Sequence, residues 1–140
     1  MALPSVLALE LVTPDRAIVH EDVEEIELPG SEGYFGVLPG HTPLLATLGV
    51  GEMWYRRGNE KFYLSLSGGF AEVLPDRVIV LAQIAERAED IDLARAEQAR
   101  ARAEERLTRT TPDLDVERAR LALLKQLTRI RVAQRARSRG

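Results

Sequence analysis

Two periods run along this chain. From Val6 to about Ala85, apolar residues recur at or near every second position. Val6, Ala8, Leu9, Leu11 and Val12 read as one strand. Val23, Ile26 and Leu28 read as another, ahead of an expected Pro29-Gly30 turn. Met53, Trp54 and Tyr55 precede Arg57-Gly58-Asn59, which signals a β-hairpin. Phe62, Leu64 and Leu66 alternate with Tyr63, Ser65 and Ser67, and Gly68-Gly69 is expected to break that strand. Phe70, Ala71, Val73 and Leu74 predict a further strand, ended by Pro75-Asp76. Val78, Val80 and Ala82 alternate with Ile79, Leu81 and Gln83. Apolar residues on both faces place this last strand in the middle of a sheet. Short strands with turn signals between them predict a β-sandwich or barrel.

At Glu86 the period becomes helical. No glycine lies between Gly69 and Gly140, and no proline between Pro75 and Pro112. Ala, Arg, Glu and Leu, all strong helix formers, dominate. Asp90 or Asp92 is expected to cap a helix running to about Arg109, with Ala96, Ala99, Ala103 and Leu107 on one face. Thr110-Thr111-Pro112-Asp113 is the break, with Thr111 as cap and Pro112 at the first position of a second helix. That helix is expected to reach about Arg137, with Val116, Ala119, Leu123, Leu127 and Ile130 as its apolar stripe and Leu124 beside it. An alanine-lined helix next to a leucine-lined one predicts an antiparallel hairpin. The fold class is therefore β plus α, with a sandwich in residues 1–86 and a helical hairpin in 87–140.

Composition narrows the chemistry. There is no cysteine among the 140 residues, which removes disulfides, thiolate catalysis and cysteine-bound metals. No apolar run approaches the roughly 20 residues of a membrane span. Met1 to Leu9 lacks the pattern of a signal peptide, so a soluble, cytoplasmic protein is expected. No P-loop, nucleophile–base pair or metal-ligand cluster is present, and no metal is expected. His20 and His41 stand apart; His20 reads as an ordinary strand-edge residue. The net charge of −3 hides an asymmetry: residues 1–85 carry 12 acids and 5 bases, whereas residues 113–140 carry 3 acids and 8 bases. A basic tail on an acidic body points to an acidic partner for the tail. Nucleic acid is disfavoured by the acidic body and the few aromatics.

The densest stretch is Gly30-Ser31-Glu32-Gly33-Tyr34-Phe35-Gly36-Val37-Leu38-Pro39-Gly40-His41-Thr42-Pro43-Leu44-Leu45, which reads as a shaped loop. It resembles the signature of the epsilon subunit of bacterial F-type ATP synthases, the delta subunit of mitochondria. Leu64 to Val73, with its double glycine, resembles that family's strand–glycine–strand element. Val80-Leu81-Ala82 and Ile91-Asp92-Leu93-Ala94-Arg95-Ala96 follow in the family's order. The resemblance covers nearly the whole chain. It implies a sandwich of about ten strands followed by two helices, and a non-catalytic place in the rotating central stalk. The implied partners are the gamma subunit and the ring of c subunits, at the cytoplasmic side of the bacterial plasma membrane.

The resemblance also assigns residues. Glu32, Tyr34, His41 and Pro43 are expected at the interface with the c ring and gamma; otherwise Glu32 and Tyr34 form a solvated turn and His41 bonds nearby backbone. Tyr34 stands where many relatives carry a second acid. The Ile91–Ala96 segment is similar to the ATP-binding motif of some relatives. Asp92 and Arg95 would be its signature contacts, with Ile91 and Ala96 in the motif and Glu86, Arg102 and Arg129 as supports. The plain alternative is that Asp92 caps a helix and Arg95 pairs locally. No cofactor is required, and ATP would be regulatory. Arg118, Lys125, Arg129, Arg131 and Arg135 are expected to meet an acidic segment of the beta subunit and inhibit ATP hydrolysis. The alternative function is a free-standing ATP sensor that closes its hairpin over nucleotide.

Overall fold

The structure is a computed structural model that describes residues 4–109 and 115–139. These divide between Arg87 and Ala88 into two compact units.

The first unit is a single sheet of seven strands: β1 Leu7–Val12, β2 Ala17–Val23, β3 Glu25–Gly30, β4 Gly33–Val37, β5 Leu44–Arg57, β6 Glu60–Val73 and β7 Arg77–Arg87. Their order is β2-β1-β7-β6-β5-β3-β4, with β1 and β7 parallel and the other pairs antiparallel. As expected from its two apolar faces, β7 is an inner strand. The far strand β2 also packs on β5, so the sheet folds over itself around one core. Leu7, Leu9, Leu11, Val23, Ile26, Leu28, Met53, Leu64, Leu66, Val73, Val78 and Val80 are all buried there.

Seven strands stand where about ten were expected, because β5 and β6 are each 14 residues long. Gly68-Gly69 does not break β6. Both glycines take positive φ, +74° and +127°, and the pairing with β7 stays in register on either side. What changes is the inward-facing set. Leu64 and Leu66 are buried before the glycines, Ala71 and Val73 after them, so the alternation shifts by one. In β5 the same shift separates Leu48 from Met53 and Tyr55, across Gly49-Val50-Gly51. Glycine permits such turning of a strand without ending it.

Three local expectations change. Val23, read into one strand with Ile26 and Leu28, instead ends β2, and β3 begins at Glu25. Pro29-Gly30 closes β3, and the turn is Ser31-Glu32. The glycine- and proline-rich stretch is not all loop, since Gly33–Val37 pairs with β3 as β4 and Leu44 already opens β5. The hairpin at Gly58-Asn59 forms as read, with Gly58 at φ +60°. Glu24 closes it from across the sheet: its carboxylate accepts the Gly58 N–H at 2.9 Å and lies 3.3 Å from Arg56 Nη1. Glu25 accepts from Arg56 Nε at 3.1 Å. The Gly58 bond is the largest cause holding the Glu24 carboxyl below its ordinary pKa; desolvation opposes it, and Arg56 adds to the lowering.

The second unit contains a short 3₁₀ turn, Ala88–Asp90, and the helices α1 Leu93–Thr108 and α2 Val116–Arg139, which pack on each other. Asp92 caps α1, accepting the Arg95 N–H at 3.1 Å. The expected cap Thr111 and Pro112 lie outside the described residues. At α2, Asp115 accepts the Arg118 N–H at 3.1 Å, and the helix starts at Val116. Ala96 and Ala103 are buried on α1, as the alanine stripe predicts. On α2 the buried residues are Ala119, Thr128, Val132 and Ala133, whereas Val116, Leu121, Leu124 and Leu127 remain exposed. The leucine stripe is thus only partly used inside the chain.

Candidate interaction surface

The sheet assembles a surface that no single segment predicts. Register places Thr47, Phe70, Leu81 and Val12 in one row across four neighbouring strands. Leu45, Glu72 and Ile79 form the next row. Both rows face away from the core, since Ala71, Val73, Val78 and Val80 alternate with them inward. Leu45 is 74% exposed, Phe70 54% and Leu81 47%. A groove of about 600 Å³ runs over this face, walled by Val12, Pro14, Thr47, Phe70, Leu81 and Gln83. The only signal in the sequence was the second apolar face of β7, Ile79 and Leu81, which periodicity reads as burial. The strand is central in its ladder, yet Leu81 is open. Large exposed apolar side chains grouped in this way mark a contact surface.

A second groove, of about 550 Å³, lies where the β3–β4 turn meets the start of β5. Gly30 to Phe35 form one wall and Leu44 to Thr47 the other. Two of the sequence-predicted residues, Glu32 and Tyr34, meet here. Glu32 is exposed in the turn. Tyr34 lies on β4, and its hydroxyl accepts the Glu52 N–H at 3.1 Å. His41 and Pro43 belong to the link between β4 and β5. The His41 Nδ1 is 2.6 Å from its neighbour's carbonyl, Thr42 O, and the His41 backbone N–H donates to Leu38 O, so the residue serves the local turn. Pro43 lines a smaller groove with Leu44, Leu45 and Glu72. His20 is exposed on the edge strand, 3.7 Å from Glu10.

Residues singled out for ATP divide between the units. Glu86 lies on β7; Ile91, Asp92, Arg95, Ala96, Arg102 and Arg129 belong to the helical unit. Ile91 and Ala96 are buried, and the Asp92 carboxylate is engaged as a cap. Arg95 and Arg102 are exposed on α1 seven residues apart, hence on one face. Arg129 is half-buried and donates to Gln126 Oε1 at 2.9 Å. On α2, Arg118, Arg131 and Arg135 are exposed and Lys125 is half-buried. They share the helix with the exposed Leu121, Leu124 and Leu127. Among the described residues no group of three or more His, Asp or Glu side chains could hold a metal ion, and no helix is long and apolar enough to cross a membrane.

A β-sandwich with an open apolar face, continued by two helices with exposed leucines and arginines, defines a protein whose accessible features are contact surfaces. Comparison with known proteins gives the family. The family model described as ATP synthase, Delta/Epsilon chain, beta-sandwich domain matches residues 6–88, and the one for its long alpha-helix domain matches residues 89–134. The chain is 52% identical over 130 residues to ATP synthase epsilon chain 2 of Syntrophotalea carbinolica, covering 92% of this chain and 94% of that protein. It is 48% identical over 126 residues to the ATP synthase epsilon chain of Nitratidesulfovibrio vulgaris, covering 90% and 94%. Among solved structures, a chain of the Euglena gracilis mitochondrial ATP synthase, solved as OSCP/F1/c-ring, aligns with a TM-score of 0.81 at 25% identity, over 99% of this chain and 84% of that one. This chain belongs to the ATP synthase epsilon chain family.

Proposed function

We propose that this chain is the non-catalytic central-stalk subunit of a proton-translocating F-type ATP synthase, working at the cytoplasmic face of a bacterial plasma membrane. The observation that carries this reading is the open apolar face around Leu45, Phe70 and Leu81 on a protein of this family. That face is the docking surface for the gamma subunit. Apolar area of this kind stabilises a long-lived contact through burial, about 25 cal/mol per Å² before ordering costs.

The groove between the β3–β4 turn and the start of β5 meets the polar loops of the c ring. Glu32 supplies its charge and Leu44 and Leu45 its apolar area. A seven-stranded sheet folded around one core is stiff enough to pass torque between the two partners. No group in the chain has to react.

The helical unit is the regulatory part. The exposed Arg118, Arg131 and Arg135 of α2 pair with an acidic segment of the beta subunit, while Leu121, Leu124 and Leu127 pack beside it. Docked there, α2 opposes rotation in the hydrolysis direction. The alternative of a free-standing ATP sensor has less behind it. Of its motif, Ile91 and Ala96 are buried as packing, and Asp92 is already engaged in starting α1.

The test is truncation in the assembled enzyme. Removing residues 88–140 is expected to leave the subunit bound to gamma and to raise ATP hydrolysis several-fold. Unchanged hydrolysis would overturn the inhibitory role, and failure of the intact chain to co-purify with gamma would overturn the stalk role.

A further inference from the structure

The ladder between β3 and β5 has a gap. Pairs run from Glu25–Arg56 to Glu27–Trp54 and resume only at Gly30–Leu48, so residues 49–53 of β5 have no ladder partner on β3. Pro29 sits opposite this gap and has no N–H to offer. Its partner on the other side, in the β3–β4 pairing, is Tyr34. The Tyr34 side chain reaches back across Pro29 to β5. It lies directly on Gly51, where a Cβ would come within 2.5 Å of Tyr34 Oη and 2.6 Å of Pro29 Cβ. Only glycine leaves room for the ring there. At the end of that reach, the hydroxyl oxygen accepts the Glu52 N–H at 3.1 Å. Glu52 itself is buried, at 8% exposure, while Tyr34 keeps 54%.

We propose that Tyr34 is a positioning residue: by taking the Glu52 N–H across the gap it ties the β3–β4 hairpin to β5 and so fixes the turn that presents Glu32. The tie replaces the ladder bond that Pro29 and the irregular stretch of β5 do not make. It has a consequence for recognition. With one lone pair engaged by the Glu52 N–H, the hydroxyl still has its hydrogen to donate. A partner acceptor such as a carbonyl or amide oxygen suits that hydrogen, and Glu32 is the charged group of the turn for a partner cation. This deepens the c-ring reading above and rests on it for the partner, whereas the tie itself belongs to the isolated chain.

Two experiments separate these parts. In the full free chain, amide hydrogen exchange of Glu52 should quicken about tenfold in Tyr34→Phe, which removes the acceptor and keeps the ring. Amides of β1 and β7 should keep their rates. Gly51→Ala should give the same local effect with the hydroxyl still present, by pushing the ring off its seat. An unchanged Glu52 rate in Tyr34→Phe overturns the tie. In the reconstituted enzyme, Glu32→Lys, Tyr34→Phe and the double variant form a cycle read by ATP-driven proton pumping. Positioning predicts a non-additive result, with Glu32→Lys losing much of its effect once Tyr34 is Phe. Additivity overturns the positioning role. Absence of any effect of Glu32→Lys overturns the ring-facing reading and leaves the tie to be decided by exchange.

Discussion

At the scale of residues, several polar side chains among the described residues hold backbone. Asp92 and Asp115 cap helices. Glu24 caps a hairpin turn, and Arg87 Nη2 donates to Ile18 O at 2.6 Å, pinning the end of β7 to β2. Tyr55 is buried beside Glu21 and Arg87, and burial first, then Glu21, raises its pKa. Glu24 gives a pH prediction with a definite sign. Its folded pKa lies below the ordinary 4.5, so the folded chain holds fewer protons than the unfolded one around that pH. Its stabilising contribution is therefore complete above about pH 5 and is lost as pH falls through the folded value. In Glu24→Gln the fall in stability on acidification below pH 4.5 should be shallower, as measured by urea unfolding across that range. An identical slope in the two proteins would show that Glu24 is not a source of the acid sensitivity.

Elements show where periodicity succeeds and where it misleads. Strand alternation located β1, β3, β7 and the β5–β6 hairpin from the sequence, because each has one face in the core. The same alternation placed a break at Gly68-Gly69, since a double glycine ordinarily ends a strand. In the sheet those glycines let β6 continue while shifting its inward set by one residue. Gly69 is needed for this: it has φ +127°, and a Cβ there would overlap the carbonyl oxygen of Leu81. Gly69→Ala is expected to cost roughly 2–4 kcal/mol, seen as a lower midpoint in chemical denaturation with the helical unit unaffected. A change below about 0.5 kcal/mol would mean that the strand can turn here without glycine. In the helical unit, the composition predicted both helices and the buried alanines of α1. The stripe read for α2 holds only in part: Ala119 is buried and Leu123 and Ile130 are half-buried, but Val116 and Leu127 are exposed, because a run with leucines on two faces fits more than one packing.

For the whole molecule, the ladder decides what the outside looks like. Val12, Thr47, Phe70 and Leu81 come from four strands, and only the register of β1, β7, β6 and β5 brings them into one row. Because Phe70 and Leu81 are exposed, replacing both by Glu should leave the sandwich folded, with circular dichroism and thermal midpoint close to the parent. Affinity for gamma should fall by roughly 2 kcal/mol or more, about thirtyfold, in a pull-down or calorimetric titration. Full affinity in that variant would move the gamma contact elsewhere on the sandwich.

The sequence by itself determined the two-part organisation, most of the strands, both helices and the family. These follow from local period, turn chemistry and residue type, which act over a few neighbours. Tertiary structure alone decided that β5 and β6 run unbroken, that Leu81 and Phe70 lie open rather than buried, and that the Tyr34 hydroxyl turns inward to Glu52. Each of these depends on which residue stands opposite across a ladder. That is a relation between distant segments, set by burial of one common core, and no local pattern encodes it.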